Sequence, residues 1–168
     1  MICVSAGENF SLGLRKNGTV WGWGSNNRGQ LGTGNNLDYS WPAPVSNLTN
    51  IEYITAGVAN SFAIDNMGHV WGWGLNSLGQ LGNGSKQNSN IPVQAINLQG
   101  AIMVSAGNYH SIALTNDGHL WSWGYNGFGA LGNGTYQDSL IPQMVTYIDD
   151  VISISAGRVH SLALKSDG

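Results

Sequence analysis

Charge is scarce in this sequence: its 168 residues hold 6 Lys and Arg against 9 Asp and Glu, a formal net charge of −3. A nucleic-acid binder neutralises phosphates with a basic stripe, and six scattered cations build none, so no nucleic-acid partner is expected. Long apolar runs are missing as well. Nothing approaches the roughly 20 residues that a membrane-spanning helix needs, so no membrane partner is expected either. Cysteine occurs once, at Cys3. That excludes an intrachain disulfide, and alignment of Cys3 with Met103 and Ser153 marks it as a small strand residue rather than a reactive thiol. No leader peptide is visible, but Met1 aligns with Ala101 and Val151 inside a repeat, so the compartment stays open. Helical periodicity is absent throughout.

Glycine, by contrast, is plentiful, with 25 residues, and so is repetition. Ser5-Ala6-Gly7, Ser105-Ala106-Gly107 and Ser155-Ala156-Gly157 recur with Thr55-Ala56-Gly57 as a near-copy, each 50 residues from the last. Trp21, Trp71 and Trp121 keep that step, as do Trp23, Trp73 and Trp123. A period of this size marks a repeat architecture, in which each unit needs stacked neighbours to bury its apolar faces. The units run over 1–50, 51–100 and 101–150, with the start of a fourth over 151–168.

Each unit reads as four short strands. In the third, residues 102–107 are β-prone and His110-Ser111-Ile112-Ala113-Leu114 alternates by two. Asn116-Asp117-Gly118 supplies hairpin chemistry, and His119 to Gly124 is the return strand. A glycine-rich loop from Asn126 to Gly134 follows. Pro142-Gln143-Met144-Val145 is expected as a fourth, edge strand that opens on its proline. Four-stranded units of this length predict an all-β fold, a β-propeller of antiparallel blades. A blade packs on two neighbours, so both faces must be apolar or small. The expectation is a bulky face (Leu12, Leu14, Trp21, Trp23) set against a small one (Ser11, Gly13, Gly22). The Ser-Ala-Gly run, too small to crowd an axis, is the candidate innermost strand.

The stretch Gly118-His119-Leu120-Trp121-Ser122-Trp123-Gly124, then Asn126 and Gly129-Ala130-Leu131-Gly132, resembles the repeat of the regulator of chromosome condensation family. Ser105-Ala106-Gly107 with His110-Ser111-Ile112-Ala113-Leu114 does too. The second unit is closer still, with Trp71-Gly72-Trp73-Gly74, Asn76 and Gly79-Gln80-Leu81-Gly82. The resemblance implies a propeller that closes with seven blades in family members. Three blades and a hairpin fall below the usual limit of about four for closure. The chain is therefore expected to be an incomplete propeller, a piece of a longer repeat protein whose open end blades self-associate.

Catalytic groups do not converge in this pattern. His110 and His160 share one repeat position, and His69 and His119 another, with no Cys or carboxylate cluster beside them, so no metal site is expected. Ser111 and Ser161 adjoin histidines, but strand neighbours point to opposite faces, so the imidazole does not reach the hydroxyl next to it. The glycine-rich loops lead to an extended proline segment rather than a helix and lack the lysine of a phosphate cradle. No cofactor is expected. Asn17, Asn83 and Asn133 head glycosylation-type triplets that also suit turns.

Variation on a fixed frame marks where specificity resides. After the tryptophan strand the units read Ser25-Asn26-Asn27-Arg28, Leu75-Asn76-Ser77-Leu78 and Tyr125-Asn126-Gly127-Phe128. A second variable set includes Glu8-Asn9-Phe10, Val58-Ala59-Asn60, Asn108-Tyr109-His110 and Arg158-Val159-His160. Arg28, Leu78, Tyr109, Tyr125, Phe128 and Arg158 are accordingly the candidate contacts to a protein partner, the aromatics as anchors. The expected function is a non-enzymatic scaffold that binds protein through its rim loops. Two alternatives come from the resemblance: nucleotide exchange on a small GTPase, the founding member's activity, and light sensing, as in a plant ultraviolet-B photoreceptor. Equal spacing leaves no room in these units for the projecting hairpin that exchange would use. The photoreceptor's Gly-Trp-Arg-His-Thr motif is absent.

Overall fold

The computed structural model describes residues 1–168. Fourteen strands and no helix make up the chain. The first sheet holds β1 (Cys3–Ala6), β2 (Phe10–Leu14), β3 (Val20–Gly24) and β4 (Tyr39–Pro44). The second holds β5 (Ile51–Ala56), β6 (Asn60–Asp65), β7 (Val70–Gly74) and β8 (Ser89–Gln94). The third holds β9 (Ala101–Ala106), β10 (His110–Thr115), β11 (Leu120–Gly124) and β12 (Ser139–Met144). A hairpin of β13 (Val151–Ala156) and β14 (Ser161–Lys165) follows. Strands within each sheet lie in chain order and pair antiparallel, as propeller blades do. Blades meet through their first strands, β1 against β5, β5 against β9 and β9 against β13, so the Ser-Ala-Gly strand is innermost.

Register corrects the expected faces. Trp23 lies opposite Ser11, Trp21 opposite Gly13, and Leu12 opposite Gly22. Residues opposite one another in an antiparallel ladder share a face. The tryptophans therefore project beside Ser11 and Gly13, and Leu12 and Leu14 project on the other side beside Gly22 and Val20. Each face mixes large and small, instead of one face being bulky throughout. At a junction, the leucine face of one blade receives the tryptophan face of the next. Leu12, Leu14, Val20 and Leu31 form one cluster with Ile54, Ala63 and Trp73. Phe62, Ile64 and Leu81 repeat it with Val104, Ala113 and Trp123. Leu12 and Leu14 are fully buried there, whereas Leu162 and Leu164, the same repeat positions in the last hairpin, are 62% and 48% exposed. Each such leucine gains about 1.5–3 kcal/mol when a following blade covers it.

The fourth strand also differs from expectation. It begins at Ser139, three residues before Pro142, and ends at Met144. The ladder shifts register between Ser122 and Gly124, and Pro142 falls in that irregular stretch, where no donor is required. The hairpin turn behaves as read: Gly118 takes φ 82° and donates to the Thr115 carbonyl at 3.0 Å.

Small residues in Ser-Ala-Gly have two separate reasons. The ring of His110 lies across Gly107, and a Cβ there would sit 2.6 Å from its Cε1. Phe10, Asn60 and His160 cover Gly7, Gly57 and Gly157 in the same way. The serine, meanwhile, accepts a bond from the next blade: Ala56 N–H to Ser5 Oγ at 3.0 Å and Ala156 N–H to Ser105 Oγ at 2.9 Å.

Candidate functional site

Two rims bound the stack of blades. One carries the loops after each first strand and after each tryptophan strand, and is called here the loop rim. The other carries the β2–β3-type hairpin turns and the connections from one sheet to the next, the turn rim. Both variable sets lie on the loop rim.

Each long loop of that rim is wound around one buried asparagine. Asn126 is fully buried. Its Oδ1 accepts the Leu131 N–H at 2.9 Å, and its Nδ2 donates to the Thr135 carbonyl at 2.9 Å and to Asn133 Oδ1 at 3.1 Å. Asp138 caps the asparagine's own N–H at 2.8 Å. Asn26 and Asn76 repeat the arrangement on Leu31 and Leu81. A loop with no regular ladder thus keeps its buried backbone groups paired. No central role was expected for these asparagines, although three Asn at one step, each followed five residues later by Leu, mark it in the sequence.

A second device joins each loop to the following blade. The Gln30 carbonyl accepts from Ser61 Oγ at 2.7 Å and from Trp73 Nε1 at 2.8 Å. The Gln80 carbonyl accepts from Ser111 Oγ at 2.9 Å and Trp123 Nε1 at 2.7 Å. The strand serines, expected only to be small, are therefore donors across the junction. His110 does miss Ser111, as its strand geometry requires, yet reaches Ser161 of the next hairpin at 2.9 Å. Burial and the neighbouring His160 lower its pKa from 6.5 to about 4. The other histidine pair belongs to the turn rim, where His69 meets Asp65 at 3.0 Å and His119 meets Asp117 at 2.9 Å.

Five of the six candidate contacts come together. Leu78 from the second blade, Tyr109, Tyr125 and Phe128 from the third, and Arg158 with Val159 from the last hairpin line one open pocket of about 360 Å³. That is near the lower end of the range for ligand pockets, about 300–1,000 Å³. Its aromatic wall is ordered edge to face: Tyr109 on Tyr125 at 6.3 Å and 80°, and Tyr125 on Phe128 at 6.0 Å and 74°. Phe128 is nevertheless 70% exposed. Arg28 is exposed in the first blade's loop and lines no part of this pocket. Val159, a member of the same variable set as Arg158 but not among the six candidates, completes the wall.

Charge is unevenly placed. Glu52, Asp65, Asp117, Asp149, Asp150 and Asp167 belong to the turn rim, against Arg15, Lys16 and Lys165. The loop rim balances Arg28, Lys86 and Arg158 with Glu8, Asp38 and Asp138. Asp38 and Asp138 are each held by a backbone N–H of their own loop. All the ion pairs lie on the turn rim, which leaves Arg158 unpaired at the edge of the apolar pocket.

Comparison with known proteins follows the same frame. Residues 17–64, 67–114 and 117–164 match the model described as "Regulator of chromosome condensation (RCC1) repeat", and residues 1–30 match a second model of that description. Each of the three matched units runs from a hairpin turn to the second strand of the following sheet, so each spans a junction between blades. In the crystal structure of Kap60 bound to yeast RCC1 (Prp20), the similar chain is 25% identical with a TM-score of 0.87, over 99% of this chain and 42% of that one. Human WBSCR16 is 25% identical with a TM-score of 0.85, over 97% of this chain and 44% of that one. The mitochondrial RCC1 domain-containing protein RUG3 of Arabidopsis thaliana is 40% identical over 62 residues, 36% of this chain and 14% of its own length. This chain thus spans less than half the length of these relatives.

Proposed function

This chain belongs to the regulator of chromosome condensation repeat family, and from that premise we propose that it is a non-enzymatic propeller scaffold that holds a protein partner on its loop rim. One observation carries the reading. Variable loop residues from three successive blade units converge on one apolar pocket with an exposed aromatic anchor, over a frame that otherwise repeats. The yeast relative was solved with Kap60 bound, so a protein that shares this fold does bind a protein partner.

Nucleotide exchange is the competing reading, favoured by the likeness to yeast RCC1. It is weighed against the unbroken 50-residue step, which leaves no inserted hairpin in these units.

Affinity capture from host extract tests the scaffold, with wild type compared with Phe128→Ser on the loop rim and Met67→Ser on the turn rim. A protein retained by wild type and Met67→Ser but lost by Phe128→Ser is the expected result. An identical set captured by all three overturns the site. Accelerated nucleotide release from a panel of small GTPases, at catalytic amounts of this chain, overturns the scaffold in favour of exchange.

A further inference from the structure

The loop-rim pocket combines an apolar interior with a single charge. Leu78, Tyr109, Tyr125, Phe128 and Val159 make its walls, and Arg158 is the one charged residue that lines it. Nothing in the chain answers that charge, because every ion pair sits on the opposite rim. Two of the three acids on the loop rim are engaged by the backbone N–H groups of Asn26 and Asn126. A guanidinium offers several donors in a planar fork suited to a carboxylate.

We infer that the pocket takes a linear peptide segment of a partner protein, one bulky apolar side chain flanked by Asp or Glu. The inference rests on the scaffold reading above and gives its partner a chemistry. The apolar side chain enters between Leu78 and the Tyr109–Tyr125–Phe128 wall, displacing water from rings that are already ordered. The carboxylate pairs with Arg158 at the rim, which sets orientation and excludes basic segments. Arg158 and Val159 come from the last hairpin and Leu78 from the second blade, so the recognition element exists only while three units remain stacked.

Tyr147-Ile148-Asp149-Asp150 of the chain itself is a segment of this kind, with Tyr147 77% exposed. It lies on the turn rim and would have to come from a second copy.

The test uses the whole chain and fluorescein-labelled Gly/Ser peptides with a central Phe or Leu flanked by Asp, Ser or Lys, read by anisotropy. The Asp-flanked peptides bind roughly fivefold tighter than the Lys-flanked ones, and the preference shrinks with added salt. Arg158→Glu reverses the order. Phe128→Ser weakens every peptide by about tenfold. Both side chains are exposed, so neither substitution removes core packing. Equal binding of Asp- and Lys-flanked peptides, or no response to Arg158→Glu, overturns the acidic-apolar chemistry; loss with Phe128→Ser alongside it leaves the scaffold site standing. Binding indifferent to both variants overturns this inference, while the scaffold reading stands or falls on the captured-partner comparison. A mass that rises with concentration and is abolished by Phe128→Ser assigns the pocket to a second copy and also overturns it.

Discussion

His110 Nε2 lies 2.9 Å from Ser161 Oγ, across the junction between the third blade and the last hairpin. Ser161 also donates to the Ala130 carbonyl at 2.7 Å. A hydroxyl has one proton, so Ser161 spends it on the carbonyl and accepts from the imidazole. His110 therefore carries a proton on Nε2, and because burial and His160 lower its pKa to about 4 the ring is neutral at pH 7.

Acid should loosen this junction. The unfolded chain titrates its histidine near 6.5 and the folded one near 4, so the unfolded chain binds the extra proton between those values. The contribution is complete above about pH 6.5 and is lost as pH falls through about 4. Phe10 fills the equivalent position in the first blade, so His110→Phe is the comparison. Between about pH 7 and pH 4, wild type should lose on the order of 2 kcal/mol more than His110→Phe in denaturant titrations. Parallel losses would refute the assignment.

Two donors share the Gln80 carbonyl, so neither alone leaves it orphaned. Ser111→Ala should cost about 1 kcal/mol, and Trp123→Phe about 2 because it also removes ring volume from a full core. The double variant should exceed the sum by about 1 kcal/mol, since the buried oxygen then has no side-chain partner. Additive losses in the thermodynamic cycle would show the two bonds to be independent.

Removal of the loop's central amide should unravel more than one contact. Asn126→Ala deletes bonds to Leu131, Thr135 and Asn133 at a fully buried position, with an expected loss of about 3 kcal/mol. Asn126→Asp should be no better, because it keeps the acceptor but substitutes a buried charge for the donor. Hydrogen exchange at the Leu131 amide is the local readout; protection unchanged in Asn126→Ala would contradict this account.

The second blade holds an imperfection. Asn60 is buried, with neither amide atom hydrogen-bonded, at the position occupied by His110 in the third. Asn60→His should place an imidazole against Ser111 as His110 meets Ser161, and raise stability by about 1 kcal/mol. A lower denaturation midpoint would mean the second junction cannot admit the ring.

Pocket shape is set partly by an absence of side chain. A Cβ on Gly127 would run into the Tyr125 hydroxyl, which is the free end of a movable ring. Gly127→Ala should therefore leave the denaturation midpoint within about 0.5 kcal/mol of wild type yet weaken binding in the Phe128-dependent pocket. Unaltered binding would show that Tyr125 does not define the cavity.

Much of this molecule was readable from spacing. Period and alternation predicted four strands per unit, the hairpin at Asn116-Asp117-Gly118 and an innermost Ser-Ala-Gly strand. Variation within the frame singled out five residues that the structure gathers around one pocket. Arg28 satisfied the same criterion and stands apart, because equivalence in the repeat says nothing about which blade's loop meets a neighbour's.

Local chemistry decided the strands, since period-two alternation and turn residues act over a few positions and a 50-residue step repeats them. Which residues share a face is a property of register, and register belongs to pairs of strands. Trp23 sits beside Ser11 and away from Leu12 because the hairpin pairs them so. The junction bonds depend on more still: Ser61 meets Gln30 and His110 meets Ser161 only after separate sheets stack. Those contacts, and the pocket built from three units, came from tertiary structure alone, because burial makes a polar group seek a partner wherever packing brings one within reach.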